Sequence, residues 1–237
     1  MSSIWFIAAL ALAVLVVLRS RYVAARRLEY IRTFELPRGL FERVQKRRPS
    51  LTRKDCELVA QGLRQFFLTY AMSRHRFVSM PSQVVDDLWH EFILYTKGYQ
   101  AFCRQAFGRF LHHTPAVVLG KGYQDNTGLR RCWWYACRVE NINPRQPSRL
   151  PLLFALDAKL GIEDGFRYVP DCQSVRRQGD DGGTVYCGGD FGDASFDGSV
   201  EGFGDGGGDS GSDGFGGGGG DGGGDGGGCG GGCGGGD

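Results

Sequence analysis

Fifteen consecutive apolar residues dominate the start of the chain: Ile4 to Leu18 reads IWFIAALALAVLVVL, without a charge, Gly or Pro. As a helix rising about 1.5 Å per residue this run spans roughly 22 Å, short of the roughly 30 Å hydrocarbon core of a bilayer. Ser2 and Ser3 can lie in one interface, while Arg19 and Arg21 snorkel to the other and let Tyr22 and Val23 extend the helix. The pattern predicts a transmembrane anchor and its flank over residues 1–25, with Ile4, Trp5, Phe6, Leu10, Leu12, Leu15 and Leu18 facing lipid. The alternative is a cleaved secretory signal. Its n-region would be only Met-Ser-Ser, and its one plausible cleavage triplet, Val23-Ala24-Ala25, lies beyond two arginines.

After the anchor the period changes. Between about residues 35 and 172, apolar positions recur at three- and four-residue spacing and predict one all-α domain. Ser50 or Thr52 can cap a helix carrying Val59, Leu63, Phe66, Phe67 and Tyr70. A second helix begins near Pro81-Ser82, presents Val85, Leu88, Trp89, Phe92 and Ile93, and breaks near Gly98; Tyr99, Phe102, Ala106 and Phe107 continue the period to Gly108. Asn126 or Thr127 can cap a helix through Cys132, Trp133, Ala136 and Cys137, and residues 150–160 supply the last. No comparable run alternates with period two. About 140 residues suffice for one helical domain with a single core.

Composition divides the chain at about residue 177. Of the 40 glycines, 31 lie from Gly179 onward, with twelve acidic residues and no Lys or Arg. The first 177 residues hold all 28 basic residues and the other 14 of the 26 acidic ones, so a net total of +2 hides about +14 before the boundary and −12 after it. Residues 178–237 are therefore expected to be a disordered Gly/Asp-rich tail, too poor in apolar surface to offset its ordering entropy. Cys229 and Cys233 could be a metal clip or a redox pair, but a mobile glycine chain opposes holding two thiols in place. A soluble acidic arm, able to fold back on the basic stretch or meet a basic partner, is the simpler expectation.

The positive charge is concentrated beside the anchor. Twelve Lys or Arg residues against three glutamates lie between Arg19 and Lys54. The juxtamembrane segment 26–54, with Arg26, Arg27, Lys46, Arg47 and Arg48, is suited to anionic lipid head groups; the alternative is a solvated helix face. Because Arg19, Arg21, Arg26 and Arg27 follow the apolar run and nothing positive precedes it, the N-terminus is expected outside and the domain in the cytoplasm, at a cell inner membrane. Thiols there are normally reduced, and none of the eight cysteines forms a CxxC pair. Nucleic-acid binding is disfavoured, since the basic run lacks interleaved aromatics.

Candidate chemistry falls in residues 84–115, VVDDLWHEFILYTKGYQAFCRQAFGRFLHHTP, which contains three of the four histidines. At about 100° per residue, Asp86 and His90 lie together, one turn apart, at the margin of the apolar face, while Asp87 and Glu91 point toward solvent. A carboxylate one turn before a histidine can fix its tautomer and leave the other ring nitrogen free. Asp86, His90, Cys103 and one of His112 and His113 could supply the three or four ligands of a divalent metal such as zinc; adjacent His112 and His113 are not both expected to bind. The alternative reading takes Asp86–His90 as a satisfied polar contact and the twin histidines as the close of a helix. There is no HExxH motif.

In these residues, Asp86-x-x-Trp89-His90, then Ile93-Leu94, Thr96, Tyr99, Cys103, Phe107-Gly108 and Phe110-Leu111-His112-His113, the chain resembles the glycine-rich domain-containing-like proteins in their short bacterial form. The match covers about 30 residues. Members often read Trp-His-x-His, and Phe92 stands where the second histidine would be. The resemblance implies a helical domain with a polar Asp/His cluster and supplies no reaction. Two functions are expected from the sequence. One is a non-enzymatic, membrane-tethered interaction or scaffold protein with an unknown protein partner. The other is a metal-dependent enzyme using Asp86, His90 and His112 or His113, with Glu91 as general base if the helix turns it inward.

Overall fold

The computed structural model describes residues 2–113, 127–170, 186–187 and 191. Its architecture is all-α, with seven helices among the described residues. The first, α1 (Ser2–Thr33), is one continuous helix, about 48 Å long at 1.5 Å per residue. It carries two environments in succession. From Trp5 to Val23 its large apolar side chains are exposed, Leu15 and Leu18 by about 60%; among the described residues this is the one helix long and apolar enough to cross a membrane. Eight residues further on, Ile31 is fully buried, and Leu28, Tyr30 and Phe34 pack on the core. The domain thus starts inside the anchor helix rather than at residue 35. The cause is a change of pattern at Leu28, where isolated apolar residues at helical spacing replace the continuous run.

Phe34 lies 4.5 Å from Phe102 and 5.7 Å from Phe92 between ring centroids, so the anchor helix is joined to the core through aromatic contacts. The chain then turns at Gly39, whose φ of +88° suits glycine, and enters α2 (Leu40–Arg47). α2 was not among the sequence expectations, although its two buried residues, Leu40 and Val44, stand one turn apart.

The long α3 (Arg53–Met72) is the centre of the domain and touches α1, α2, α4, α6 and α7. Thr52 caps it, with a reciprocal capping box to Asp55. Val59, Leu63, Phe66, Phe67 and Tyr70 are buried as expected, joined by Cys56, Ala60 and Leu68 because helices pack on several sides. Gly62 allows the closest approach: a Cβ there would lie 2.3 Å from Leu156 and 3.0 Å from Val85.

The other helices are α4 (Gln83–Leu94), α5 (Thr96–Ala106), α6 (Thr127–Val139) and α7 (Leu152–Lys159). The break between α4 and α5 falls at Tyr95, with φ −81° and ψ 59°, and Gly98 lies inside α5. Tyr95 is held there by its hydroxyl, which donates to the Arg38 carbonyl at 3.3 Å, an interaction local periodicity does not register.

Two short strands were not expected. β1 (Tyr168–Val169) pairs in parallel with β2 (Tyr186–Cys187), Tyr168 opposite Tyr186. Phe191 is buried against Trp133, Phe154 and Tyr168. The described structure therefore reaches past the compositional boundary near residue 177, at Tyr186–Cys187 and Phe191. The remainder of the Gly/Asp-rich tail, with Cys229 and Cys233, lies outside the described residues.

Cys56, Cys103, Cys132 and Cys137 are buried free thiols, and burial pushes Cys132 and Cys137 up to about 12. They act as small apolar groups. After α3, His75 packs on Tyr70 and Phe107. Burial, then the charges of Arg109 and Arg27, hold its pKa below the usual range. An unfolded His75 takes up a proton below about pH 6.5, whereas the folded one resists it. Its contribution to stability is therefore complete above that pH and is lost as pH falls through the folded pKa. The urea midpoint should fall between pH 7.5 and pH 5, and His75→Gln should reduce that fall; an unchanged pH dependence in the variant would contradict the assignment.

Candidate metal centre

The first turn of α4 is fixed before any functional side chain is placed. Ser82 caps the helix, its Oγ accepting from the Val85 N–H at 3.4 Å. Asp157 of α7, 2% exposed, accepts from the Ser82 hydroxyl and the Gln83 N–H, both at 2.7 Å, and from the Val84 N–H at 3.2 Å. A buried carboxylate at a helix N-terminus also meets the positive end of its dipole. The turn that presents Asp86 is thereby tied to α7.

His90 lies one turn further along α4. Its Nδ1 is 2.8 Å from the Asp86 carbonyl oxygen and 3.3 Å from Asp86 Oδ2. A carbonyl can only accept, so Nδ1 is a donor, and in the neutral ring Nε2 is then the nitrogen that offers a lone pair. His113 arrives from the segment after α5, with Nε2 2.9 Å from Asp86 Oδ1. Its ring centroid is 4.5 Å from Trp89 and 4.2 Å from His90.

That segment is pinned through a short relay. Trp89 Nε1 donates to the Tyr99 hydroxyl at 3.2 Å, and Tyr99 donates to the Leu111 carbonyl at 2.6 Å, two residues before His113. Burial raises the Tyr99 pKa far above its usual value, so the phenol stays a donor. Asp86, His90 and His113 each offer a ligand atom within 4.8 Å of the others. Two ligands each about 2.1 Å from a tetrahedral ion stand about 3.4 Å apart, so modest rotation suffices to seat one. The three side chains border a cavity of about 250 Å³ whose walls include Phe66, Tyr70, Val78, Met80, Trp89 and Leu111.

Two sequence expectations need correction, those for Cys103 and for the Asp87–Glu91 face. Cys103 does not join the cluster: it is buried beside Tyr99 and the Leu111 backbone, and burial raises its pKa. Of the two adjacent histidines, His113 turns inward, while His112 is exposed and lies against Phe110. Asp87 and Glu91 do not face solvent; they are 6% and 8% exposed. The cause is α2, which covers that face of α4. Arg48 Nε is 2.6 Å and Arg47 Nη1 2.9 Å from Asp87, and Arg47 and Arg43 reach Glu91 at 3.4 and 3.5 Å. Glu91 is thus ion-paired away from the His90 side and is not placed to act as a base there. Arg47 and Arg48 hold the domain together, whereas Arg19, Arg21 and Arg26 lie exposed along α1. Neither Asp157 nor Tyr99 had an expected role at the centre, because the α4 partners of Asp157 are 73–75 residues away and those of Tyr99 are 10 and 12.

No curated protein and no solved structure matches the chain. The profile of one family, described as UCP032817-like, matches residues 26–191. That span starts in α1 just before its buried stretch, contains the whole Asp86–His90–His113 cluster, and ends at the buried Phe191. The chain belongs to the UCP032817-like family.

Proposed function

We propose that this protein is a membrane-anchored domain that binds a divalent metal ion through Asp86, His90 and His113. The observation that carries the proposal is the convergence of three ligand side chains from two separate segments, α4 and the chain after α5, at one point beside a cavity. Two imidazoles and a carboxylate suit zinc or ferrous iron and leave coordination positions open. The same run carries the resemblance to the glycine-rich domain-containing-like proteins, which supports kinship in this segment. In the zinc-titrated full-length protein, His113→Ala is expected to weaken binding at least tenfold and His112→Ala to leave it within about twofold. Equal losses in the two variants would refute the assignment.

We further propose that α1 spans an inner membrane with its N-terminus outside and the domain in the cytoplasm, as its one-sided arginines suggest. A reporter fused after Asp237 should be active only if it works in the cytoplasm; activity solely in an exported reporter would overturn this orientation. A non-enzymatic interaction protein is the second reading, favoured by Phe77, Leu94, Phe110 and Phe166, which are exposed on the domain. A domain that binds no metal would decide for it.

A further inference from the structure

From the cavity beside the centre we infer the class of its exogenous ligand: a small molecule with one apolar, ring-sized body and a single metal-binding head, seated head-first against Asp86, His90 and His113. The inference rests on the metal assignment above. With three protein ligands an ion keeps at least one position for an outside donor, and all three side chains border the same cavity. The head is thereby directed to the polar end.

The body follows from the walls. Phe66, Tyr70, Val78, Met80, Trp89 and Leu111 form a mainly apolar sleeve, and among the described residues no Lys or Arg lines it. A second charged group on the ligand would lose water there without gaining a partner. Ser82 is already committed to Asp157, and Ser79, Gln83 and the Tyr70 hydroxyl are polar handles along the wall, with His112 beside them. The volume of about 250 Å³ falls just below the roughly 300 Å³ at the small end of ligand sites, enough for one ring and its head but not for a nucleotide or a lipid tail. Phe77 and Phe166 also line the cavity while remaining 47% and 38% exposed. Large aromatic side chains at an open end favour entry of an apolar molecule.

The test uses the cobalt-loaded full-length protein, whose visible bands report any new ligand on the ion. Acetohydroxamate and benzohydroxamate carry the same head and differ in body. Benzohydroxamate is expected to shift the bands at a concentration at least tenfold lower than acetohydroxamate. Ser79→Trp, which fills the sleeve, should abolish that difference while cobalt still binds; Gln83→Trp serves if the first variant does not fold. Equal half-saturation by the two probes, with cobalt bound, would overturn the ligand class and leave the metal assignment standing. Failure to bind cobalt at all would overturn both.

Discussion

An Asp157→Ala protein is expected to lose about 3–5 kcal/mol of stability, because its carboxylate serves several donors at once. Besides the Ser82 hydroxyl and the Gln83 and Val84 amides, the Phe166 N–H donates to it at 2.9 Å. Alanine would leave these donors without their acceptor at a site 2% exposed, and each buried donor left unpaired costs about 1–3 kcal/mol. The turn after α7 is also wrapped tightly around this side chain: a Cβ on Gly165 would lie 2.5 Å from the Asp157 Cβ. Asn at this position should recover only part of the loss, since its NH₂ would face a donor. Urea unfolding of both variants measures the effect. Because the Asp86 N–H is bonded to the Ser82 carbonyl, zinc affinity should fall along with stability. A loss below about 1 kcal/mol would show that water replaces the carboxylate and that α7 does not organise α4.

The second large effect is expected at Arg48. Its Nε is 2.6 Å from Asp87, whose side chain is nearly buried, while its other arm reaches Asp164, a residue 58% exposed at the side chain. The Asp164 arm contributes little in solvent. Arg48→Ala should nevertheless cost about 2–3 kcal/mol, below the full cost of orphaning a buried charge because Arg47 still reaches Asp87. The double replacement Arg48→Met with Asp87→Leu should recover most of that loss, since a desolvated pair exchanged for packed apolar groups is often neutral. Unfolding of the single and double variants by urea gives the comparison. Equal destabilisation of the two would mean that the ion pair itself, rather than the uncompensated carboxylate, carries the energy.

Much of the fold was legible because helices leave a local signature. The Thr52 cap, the buried stripe of α3 and the Ser82 start of α4 all follow from spacings within one or two turns. What was not legible depends on contacts distant in sequence. α2 is short, with Leu40 and Val44 one turn apart, and its docking on α4, which no local pattern registers, reverses the environment of Asp87 and Glu91. The two-residue strands β1 and β2 are held by pairing across 18 residues and have no period to detect. For the site, the pairing of Asp86 with His90 follows from i,i+4 spacing, whereas the choice of His113 over His112 depends on the Trp89–Tyr99–Leu111 relay. Cys103 looked eligible by composition, but a buried thiol whose pKa is raised is a poor ligand unless it faces the ion.

The central claim is that Asp86, His90 and His113 hold one metal ion, and X-ray absorption at the zinc edge of the zinc-loaded full-length protein tests it most directly. The account predicts one zinc per chain, with nitrogen and oxygen neighbours at about 2.0–2.2 Å, two imidazoles among them, and no sulfur. A shell of sulfur at about 2.3 Å, or a protein that retains no stoichiometric zinc, would contradict it.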